Sequence, residues 1–189
     1  EGADDMESVP LGRTEWIRFY GMLFGKEALA DSIFRQTEKS YLDLKQLVTA
    51  DMPRPTVISE KKFGASWFMP AGDSYIANMY ADAGADYVFK ELPGAGSTPL
   101  AIETVLDRAI HADMWLIKYN QSEDMTYGDL RAVYAPYDIF DDFKNRRIYS
   151  CNTGLVPYYE EFPLHPDYLL KDLIWVFLPE LLHGYSPRY

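Results

Sequence analysis

Residues 55–89 constrain the fold of this chain more than any other part of its 189 residues. Residues 56–58 form a β-branched apolar run directly after two prolines, which predicts a buried strand. The glycine- and proline-containing residues 63–72 then predict a loop. Apolar side chains recur at helical spacing over residues 73–83, and a second short apolar run follows at residues 87–89. The stretch is therefore predicted to form a strand, loop, helix and strand, the repeating unit of α/β sheets.

The same alternation of helices and strands continues on both sides of this unit. Apolar stripes at helical spacing predict helices at residues 15–24, 26–52, 99–110, 127–133, 136–145 and 166–181, and continuous apolar runs predict strands at residues 114–117 and 148–150. A long loop is predicted at residues 152–163, and long loops within compact domains tend to be functional. The predicted fold is an α/β lobe of three layers, with a central, mostly parallel sheet flanked by helices.

Charge and cysteine content exclude several classes of partner. The formal net charge is -11, and no basic cluster exceeds Arg146-Arg147, so neither nucleic acid nor an anionic membrane surface is an expected partner. Cys151 is the single cysteine, which rules out an internal disulfide and a multi-cysteine metal site. No apolar run is long enough to span a membrane, and no signal peptide is present. Because the first residue is Glu1, we interpret the chain as processed or truncated.

No catalytic motif stands out. The three histidines lack metal-ligand spacing, the glycine-rich residues 94–97 lack the lysine of a phosphate-binding loop, and no nucleophile elbow is present. Paired acids such as Glu160 and Glu161 are adjacent in sequence, so their side chains diverge. We predict no catalytic residue, no metal site and no cofactor. An α/β hydrolytic enzyme that uses Glu160 and Glu161 remains an alternative.

Two predicted loops are rich in aromatic side chains. Their flat apolar faces and polar tips suit stacking on a large planar or hydrophobic ligand. They could equally cover the end of the sheet or a domain interface, and a protein-interaction domain is therefore a third hypothesis. The residues concerned are Trp67, Phe68 and Met69 in the first loop, and Tyr158, Tyr159 and Phe162 in the second.

Five segments, in order along the chain, resemble one protein family. The family is that of the class III periplasmic substrate-binding proteins of ABC transporters, which bind iron siderophores, haem and cobalamin. The resemblance is to their carboxyl-terminal half, and is greatest for versions from Bacteroides-type bacteria. The segments are PLGRTEWIRFYGMLFGKEALAD, PTVISEKKFGASWFMPAGDSYIANMYADAGADYVF, STPLAIETVLDRAIHADMWLI, FKNRRIYSCN and HPDYLLKDLIWVFLPELL.

This resemblance implies a domain organisation and a location. Family members consist of two α/β lobes that are joined by one long helix and hold the ligand between them. Residues 11–24 resemble that helix, so residues 1–25 are expected to form an acidic segment and the inter-lobe helix, and residues 26–189 the carboxyl-terminal lobe. The first lobe is missing. The family also implies a monomeric, exported, non-enzymatic protein, periplasmic or anchored as a lipoprotein, that delivers its ligand to an ABC transporter permease.

The resemblance also assigns roles to individual residues. Glu103 matches the glutamate with which the second lobe docks onto arginines of the permease, a role that suits an exposed carboxylate in the first turn of a helix. Aromatic and apolar residues match the ligand-facing rim. Trp67 and Met69 match a loop that faces the ligand, Tyr119 lies just past a strand end on the same rim, and Tyr158 and Tyr159 match a loop that closes over the ligand.

Overall fold

Two sheets organise the computed structural model, which describes residues 7–189; the acidic residues 1–6 of the predicted amino-terminal segment lie outside it. The strands are β1 (Thr56–Ser59), β2 (Lys62–Phe63), β3 (Ser66–Pro70), β4 (Asp86–Tyr87), β5 (Ser97–Ala101), β6 (Met114–Tyr119) and β7 (Ile148–Asn152). The helices are α1 (Pro10–Leu23), α2 (Glu27–Leu47), α3 (Tyr75–Asp82), α4 (Ile102–Ala109), α5 (Tyr127–Val133), α6 (Asp141–Lys144), α7 (Tyr158–Glu161) and α8 (Pro166–Phe177). Single 3₁₀ turns occupy Ala135–Ile139 and Pro179–Leu181.

The main sheet has four strands in the order β4-β1-β6-β7, and every pair is parallel. Val57 of β1 lies opposite Tyr87 on one side and Met114 on the other, and it has no exposed surface. Central parallel strands are covered on both faces, which explains why β1 and β6 are apolar runs without alternation. The predicted α/β lobe with a mostly parallel sheet flanked by helices is confirmed.

The two faces of the main sheet are covered differently. Trp115 of β6 packs at 5.4 Å from Trp67 in the second sheet, and at 4.9 Å from Tyr137 in the first 3₁₀ turn. On the other face, Tyr80 of α3 packs on Phe177 of α8, and α8 also contacts α2. Aromatic side chains therefore fill both sides of the sheet, which accounts for much of their abundance in the sequence.

The prediction of a loop at residues 63–72 is wrong for the first part of this range. Strands β2 and β3 form an antiparallel hairpin there, with Phe63 opposite Ser66, and β3 continues into an antiparallel pair with β5. Gly64 takes a φ of 60°, which suits the first central residue of a two-residue hairpin turn. The glycine and proline that suggested a loop belong instead to a tight turn and a strand end.

Several helix boundaries also differ from prediction. The predicted helix at residues 99–110 begins only at Ile102, because Ser97–Ala101 is strand β5. Helix α1 begins at Pro10, although the predicted helix starts at residue 15. The Thr14 side chain is buried, and its hydroxyl donates to the carbonyl groups of Pro10 and Pro163. The short helix α7 interrupts the predicted loop at residues 152–163.

Helices α1 and α2 form a tight corner around two glycines. Gly25 joins them with a φ of 64°, a conformation that L side chains rarely adopt. A Cβ atom on Gly21 would lie 2.4 Å from the Cβ of Ala30, so only glycine allows the two helices this approach. Arg18 of α1 also forms an ion pair with Asp31 of α2 at 2.7 Å. The orientation of α1 on the lobe is thus fixed by local contacts.

Two tryptophan side chains stabilise the carboxyl end of β1. Trp67 Nε1 donates to the carbonyl oxygen of Ser59 at 2.9 Å, and Trp115 Nε1 donates to that of Glu60 at 2.6 Å. Both carbonyl groups lie where the chain leaves the sheet, so strand pairing does not satisfy them fully. The indole groups supply the missing donors within the core.

We expect Trp67→Phe to lower the free energy of unfolding by about 1 to 3 kcal/mol, because the Ser59 carbonyl group would lose its buried donor. Urea unfolding followed by far-UV circular dichroism measures this change. Trp16→Phe, on the half-buried surface of α1, is the matched control and should change it little. Equal effects of both substitutions would contradict the role of the Trp67 hydrogen bond.

Asp142 is an uncompensated carboxyl group in the core. It lies in α6 with no exposed surface, and neither of its carboxyl oxygens has a hydrogen-bond partner among the described residues. Burial raises the pKa of Asp142 to about 7. Between about pH 4 and pH 7, the Asp142 carboxyl group is therefore protonated in the folded protein but ionised in the unfolded chain.

The free energy of unfolding should consequently fall by up to about 4 kcal/mol as the pH rises through this window. We expect Asp142→Asn to remove most of this decline, because an amide does not ionise. Chemical denaturation at pH 5 and at pH 8 measures the difference for both proteins. A substituted protein with the same pH dependence as the original would show that another group causes it.

Candidate ligand-binding cleft

An open cleft lies at the carboxyl ends of β1 and β6, beside the amino terminus of α3 and the hairpin β2–β3. Its volume is about 400 Å³. Carboxyl ends of parallel strands are the usual place for ligands in α/β sheets. Its lining includes Arg13, Glu60, Phe63, Phe68, Lys118 and Tyr158.

Two phenylalanines form the aromatic wall of this cleft. Phe63 is 78% exposed and Phe68 is 42% exposed, although both are large apolar side chains. Successive side chains of a strand point to opposite faces, so Phe68 faces outward while its neighbours Trp67 and Met69 face the core. The hairpin therefore presents flat apolar surface to whatever occupies the cleft.

Positive charge predominates among the charged residues that line the cleft. Arg13 lies over the Tyr75 ring at 4.4 Å, and Lys118 lies over the Tyr158 ring at 5.3 Å. Lys61 also lines the cleft, and among residues 7–189 Glu60 is the one acidic residue in the lining beside these three cations. A cleft of this charge favours anionic groups, on a chain whose net charge is -11.

Glu60 occupies an unusual position directly after β1. Its φ is 62°, in the left-handed region that side chains other than glycine rarely adopt. Burial raises the pKa of its carboxyl group, and the nearby Lys118 opposes that shift. Backbone strain of this kind often occurs at ligand sites. Here it turns the chain from the end of β1 into the hairpin.

The structure places Trp67 and Met69 in the core and not on the rim of the cleft. Neither has any exposed surface, and Trp67 packs against Trp115, Tyr137 and Phe140. The strand alternation that exposes Phe68 is the physical reason. The expectation that Trp67 and Met69 face the ligand is therefore corrected in this conformation.

Tyr119 is buried at the end of β6 and orders the following loop. Its hydroxyl accepts a hydrogen bond from the Met125 backbone at 2.8 Å and lies 3.4 Å from the Asp124 carboxylate. Its carbonyl group accepts from Thr153. The side chain is thus near the carboxyl edge of the sheet, but its polar tip is used within the lobe.

Tyr158 and Tyr159 differ in exposure although they are neighbours. Tyr158 is buried and lines the cleft, whereas Tyr159 is 55% exposed. Lys118 lies within 5.6 Å of both rings and so connects them to the end of β6. Helix α7 brings the Tyr158 ring to the cleft, where Phe162, which follows the helix, packs on it at 4.8 Å; Tyr159 lies outside the lining.

Glu103 lies away from the cleft, at the second residue of α4. Its side chain is exposed, and the helix has no side-chain cap at Ala101. A carboxylate in the first turn interacts favourably with the helix dipole. The position suits an electrostatic contact with a basic partner.

Sequence reasoning missed the cationic and outward-facing residues of the cleft. Phe68 was among the aromatic candidates, but treating residues 63–72 as a loop concealed the alternation that distinguishes it from Trp67. The turn glycine Gly64 between Phe63 and Ser66 was the available signal. Arg13 and Lys118 are distant in sequence from the hairpin, and only the fold brings them to it.

The two acids of α7 have different surroundings. The Arg188 guanidinium binds Glu161 and lowers the pKa of that carboxyl group, while Glu160 is exposed. Among residues 7–189, no group of three or more histidine, cysteine, aspartate or glutamate side chains could hold a metal ion. No helix in the same range is both long and apolar enough to cross a membrane.

Comparison with known proteins identifies relatives of the whole chain. A family profile described as periplasmic binding protein matches residues 5–132. An uncharacterized lipoprotein of Methanocaldococcus jannaschii is 29% identical over 190 residues, which cover 99% of this chain and 44% of the relative. The chain therefore spans less than half the length of this curated relative.

Solved structures share the fold at low sequence identity. S. aureus IsdE, solved in complex with heme, superposes with a TM-score of 0.67 at 15% identity, covering 90% of this chain and 66% of that one. An ABC-type Fe³⁺-hydroxamate transport protein from Saccharomonospora viridis gives a TM-score of 0.64 at 15% identity, covering 86% and 54%. Because the family profile matches more than half of the residues, this chain belongs to the periplasmic binding protein family.

Proposed function

We propose that this chain is the second lobe of the substrate-binding component of an ABC importer, and that it binds an iron complex or a corrinoid. The observation that carries the proposal is the open cleft at the carboxyl ends of the parallel strands, in a chain of the periplasmic binding protein family. Of two structurally similar proteins, one was solved in complex with heme and the other is from an ABC-type Fe³⁺-hydroxamate transport system. Siderophore complexes, haem and cobalamin are the ligands to test.

The cleft has the chemistry that such ligands require. Phe63 and Phe68 offer aromatic faces for stacking, and Lys118 offers positive charge for carboxylate or other anionic groups. In this proposal Tyr159 closes over the ligand from α7. The Tyr158 ring, over which the Lys118 side chain lies, holds that side chain in place. Trp67 and Met69 then act indirectly, since they fix the strand that carries Phe68.

The exposed apolar face of α1 supports an interface with the first lobe of the protein. Met22, Leu23 and Phe24 are each more than half exposed, and a surface depression of about 720 Å³ lies beside Trp16 and Phe19. Apolar patches of this kind mark interfaces. We assign this face to the first lobe, with α1 as the inter-lobe helix, because the chain covers only part of its relatives.

In the same proposal Glu103 docks on arginine residues of the permease. Its exposed carboxylate at the start of α4 can accept two parallel hydrogen bonds from one guanidinium group. The protein would act outside the cytoplasmic membrane, in a periplasm or anchored as a lipoprotein, as the name of the archaeal relative suggests. It would act as a monomer and without catalysis.

We expect Glu103→Gln in the two-lobe protein to leave ligand affinity unchanged and to reduce import about tenfold, which corresponds to about 1.4 kcal/mol of docking free energy. Uptake of radiolabelled ligand into proteoliposomes that contain the transporter measures this effect. Glu27→Gln is the matched control, because Glu27 is also exposed in the first turn of a helix. Weaker ligand binding with normal uptake would contradict the docking role.

We expect Phe68→Ala to weaken binding of the transported complex about tenfold, because stacking on an aromatic side chain contributes about 1 to 1.5 kcal/mol. Quenching of tryptophan fluorescence in the two-lobe protein, titrated with haemin, cobalamin and ferric siderophores, measures the affinity. Val133→Ala removes an exposed apolar side chain of α5 outside the cleft and should change nothing.

The same titration separates the competing hypotheses. Saturable quenching by one of these ligands supports the binding lobe. No response to any of them would favour a protein-interaction domain, for which the exposed face of α1 is the candidate surface.

A further inference from the structure

We propose a second small-molecule site in this lobe, a cavity between the β6–β7 edge and α8 that takes one uncharged aromatic molecule of about two fused rings. The cavity has a volume of about 260 Å³. Its walls are mainly apolar, and they include Leu116, Tyr149, Leu173, Val176, Pro187 and Tyr189. This proposal does not depend on the ligand of the open cleft.

The size and walls of the cavity define the ligand. An apolar cavity of about 150 Å³ stays dry and binds benzene, so about 260 Å³ accommodates a molecule such as indole. The rings of Tyr149, Trp175 and Tyr189 lie around it. Aromatic side chains favour an aromatic guest, because offset and edge-to-face contacts add to the burial of apolar area.

The charged groups of the cavity favour a neutral guest. Glu60 and Lys118 line it together, and their charges are opposite. The third charged residue, Asp172, already accepts hydrogen bonds from the Tyr185 hydroxyl at 2.6 Å and from the backbone amides of Arg188 and Tyr189 at 3.0 and 2.8 Å. The Asp172 carboxylate thus has its donors within the chain, and the opposite charges of Glu60 and Lys118 offset each other, so an ion of either sign finds no unsatisfied partner among these three residues.

Residues 185–189 form a covering segment over the cavity. Asp172 holds this segment from within, and the Arg188 guanidinium binds the Glu161 carboxylate of α7 from outside. Tyr189 packs on Tyr158 at 5.4 Å, and its hydroxyl donates to Glu161 at 3.1 Å. Apart from the ring contact between Tyr189 and Tyr158, these contacts are polar and partly exposed, so the segment can open with little effect on the rest of the core.

The cavity is distinct from the open cleft but shares a wall with it. Glu60, Ile76, Lys118 and Tyr158 line both. The walls made by α8 and the covering segment belong to the cavity alone. The two sites therefore lie on either side of one layer of side chains.

Cys151 provides a direct test, because it lines the cavity and is the single cysteine of the chain. Indole is the probe, and the measurements are calorimetric titration and the rate at which iodoacetamide alkylates Cys151 at pH 9. We expect saturable binding of one indole per chain and alkylation that is slowed about tenfold by saturating indole, since the bound molecule blocks access to the thiol. No iron complex or corrinoid is present, so failure here leaves the cleft proposal untouched.

Three variants make the test specific. Val176→Phe, or Leu116→Phe if the first does not fold, fills the cavity and should abolish both indole binding and protection of Cys151. Arg188→Ala loosens the covering segment and should speed alkylation without indole. Arg131→Ala is the control, because it removes an ion pair with Asp138 that lies outside the cavity. Absence of saturable indole binding, or equal protection in the filled variants, would overturn the proposal.

Discussion

The hydrogen bonds from two indole groups to the end of β1 are the contacts on which the cleft depends. Trp67 and Trp115 supply donors to the carbonyl groups of Ser59 and Glu60, at the point where the chain leaves the sheet. These bonds allow β1 to end abruptly and Glu60 to adopt a positive φ, which directs the hairpin over the carboxyl edge. Without them, two buried carbonyl groups would lack partners, and the hairpin would lose its attachment.

Charge is distributed unevenly over this lobe, and most of it contributes little to stability. The chain is strongly acidic, yet three cations border the cleft. Most ion pairs lie on exposed surface, where each contributes little to stability. The buried Asp142 carboxyl group has no such compensation, and its protonation couples the stability of the lobe to pH.

The sequence predicted the elements of the main sheet better than the residues of the cleft. Strands β1, β6 and β7 were predictable because buried parallel strands are continuous apolar runs. Residues 62–70 and 97–101 were not, since their pairing is antiparallel and joins segments that are distant in sequence. Aromatic content correctly drew attention to this region. On a strand, however, a shift of one residue decides whether a side chain faces the core or the surface. Because the strand was not predicted, Trp67 and Met69 were placed on the ligand-facing rim and Phe68 was given no role. Arg13 and Lys118 carry no local pattern that marks them.

Strand β3 alternates between side chains that build the core and side chains that face the cleft. Trp67 and Met69 determine whether the lobe folds, and the intervening Phe68 contributes little to the core. Substitutions at the outward positions can therefore accumulate without a loss of stability. A shared fold at 15% identity therefore constrains the side chains that face the cleft less than it constrains the core that supports them.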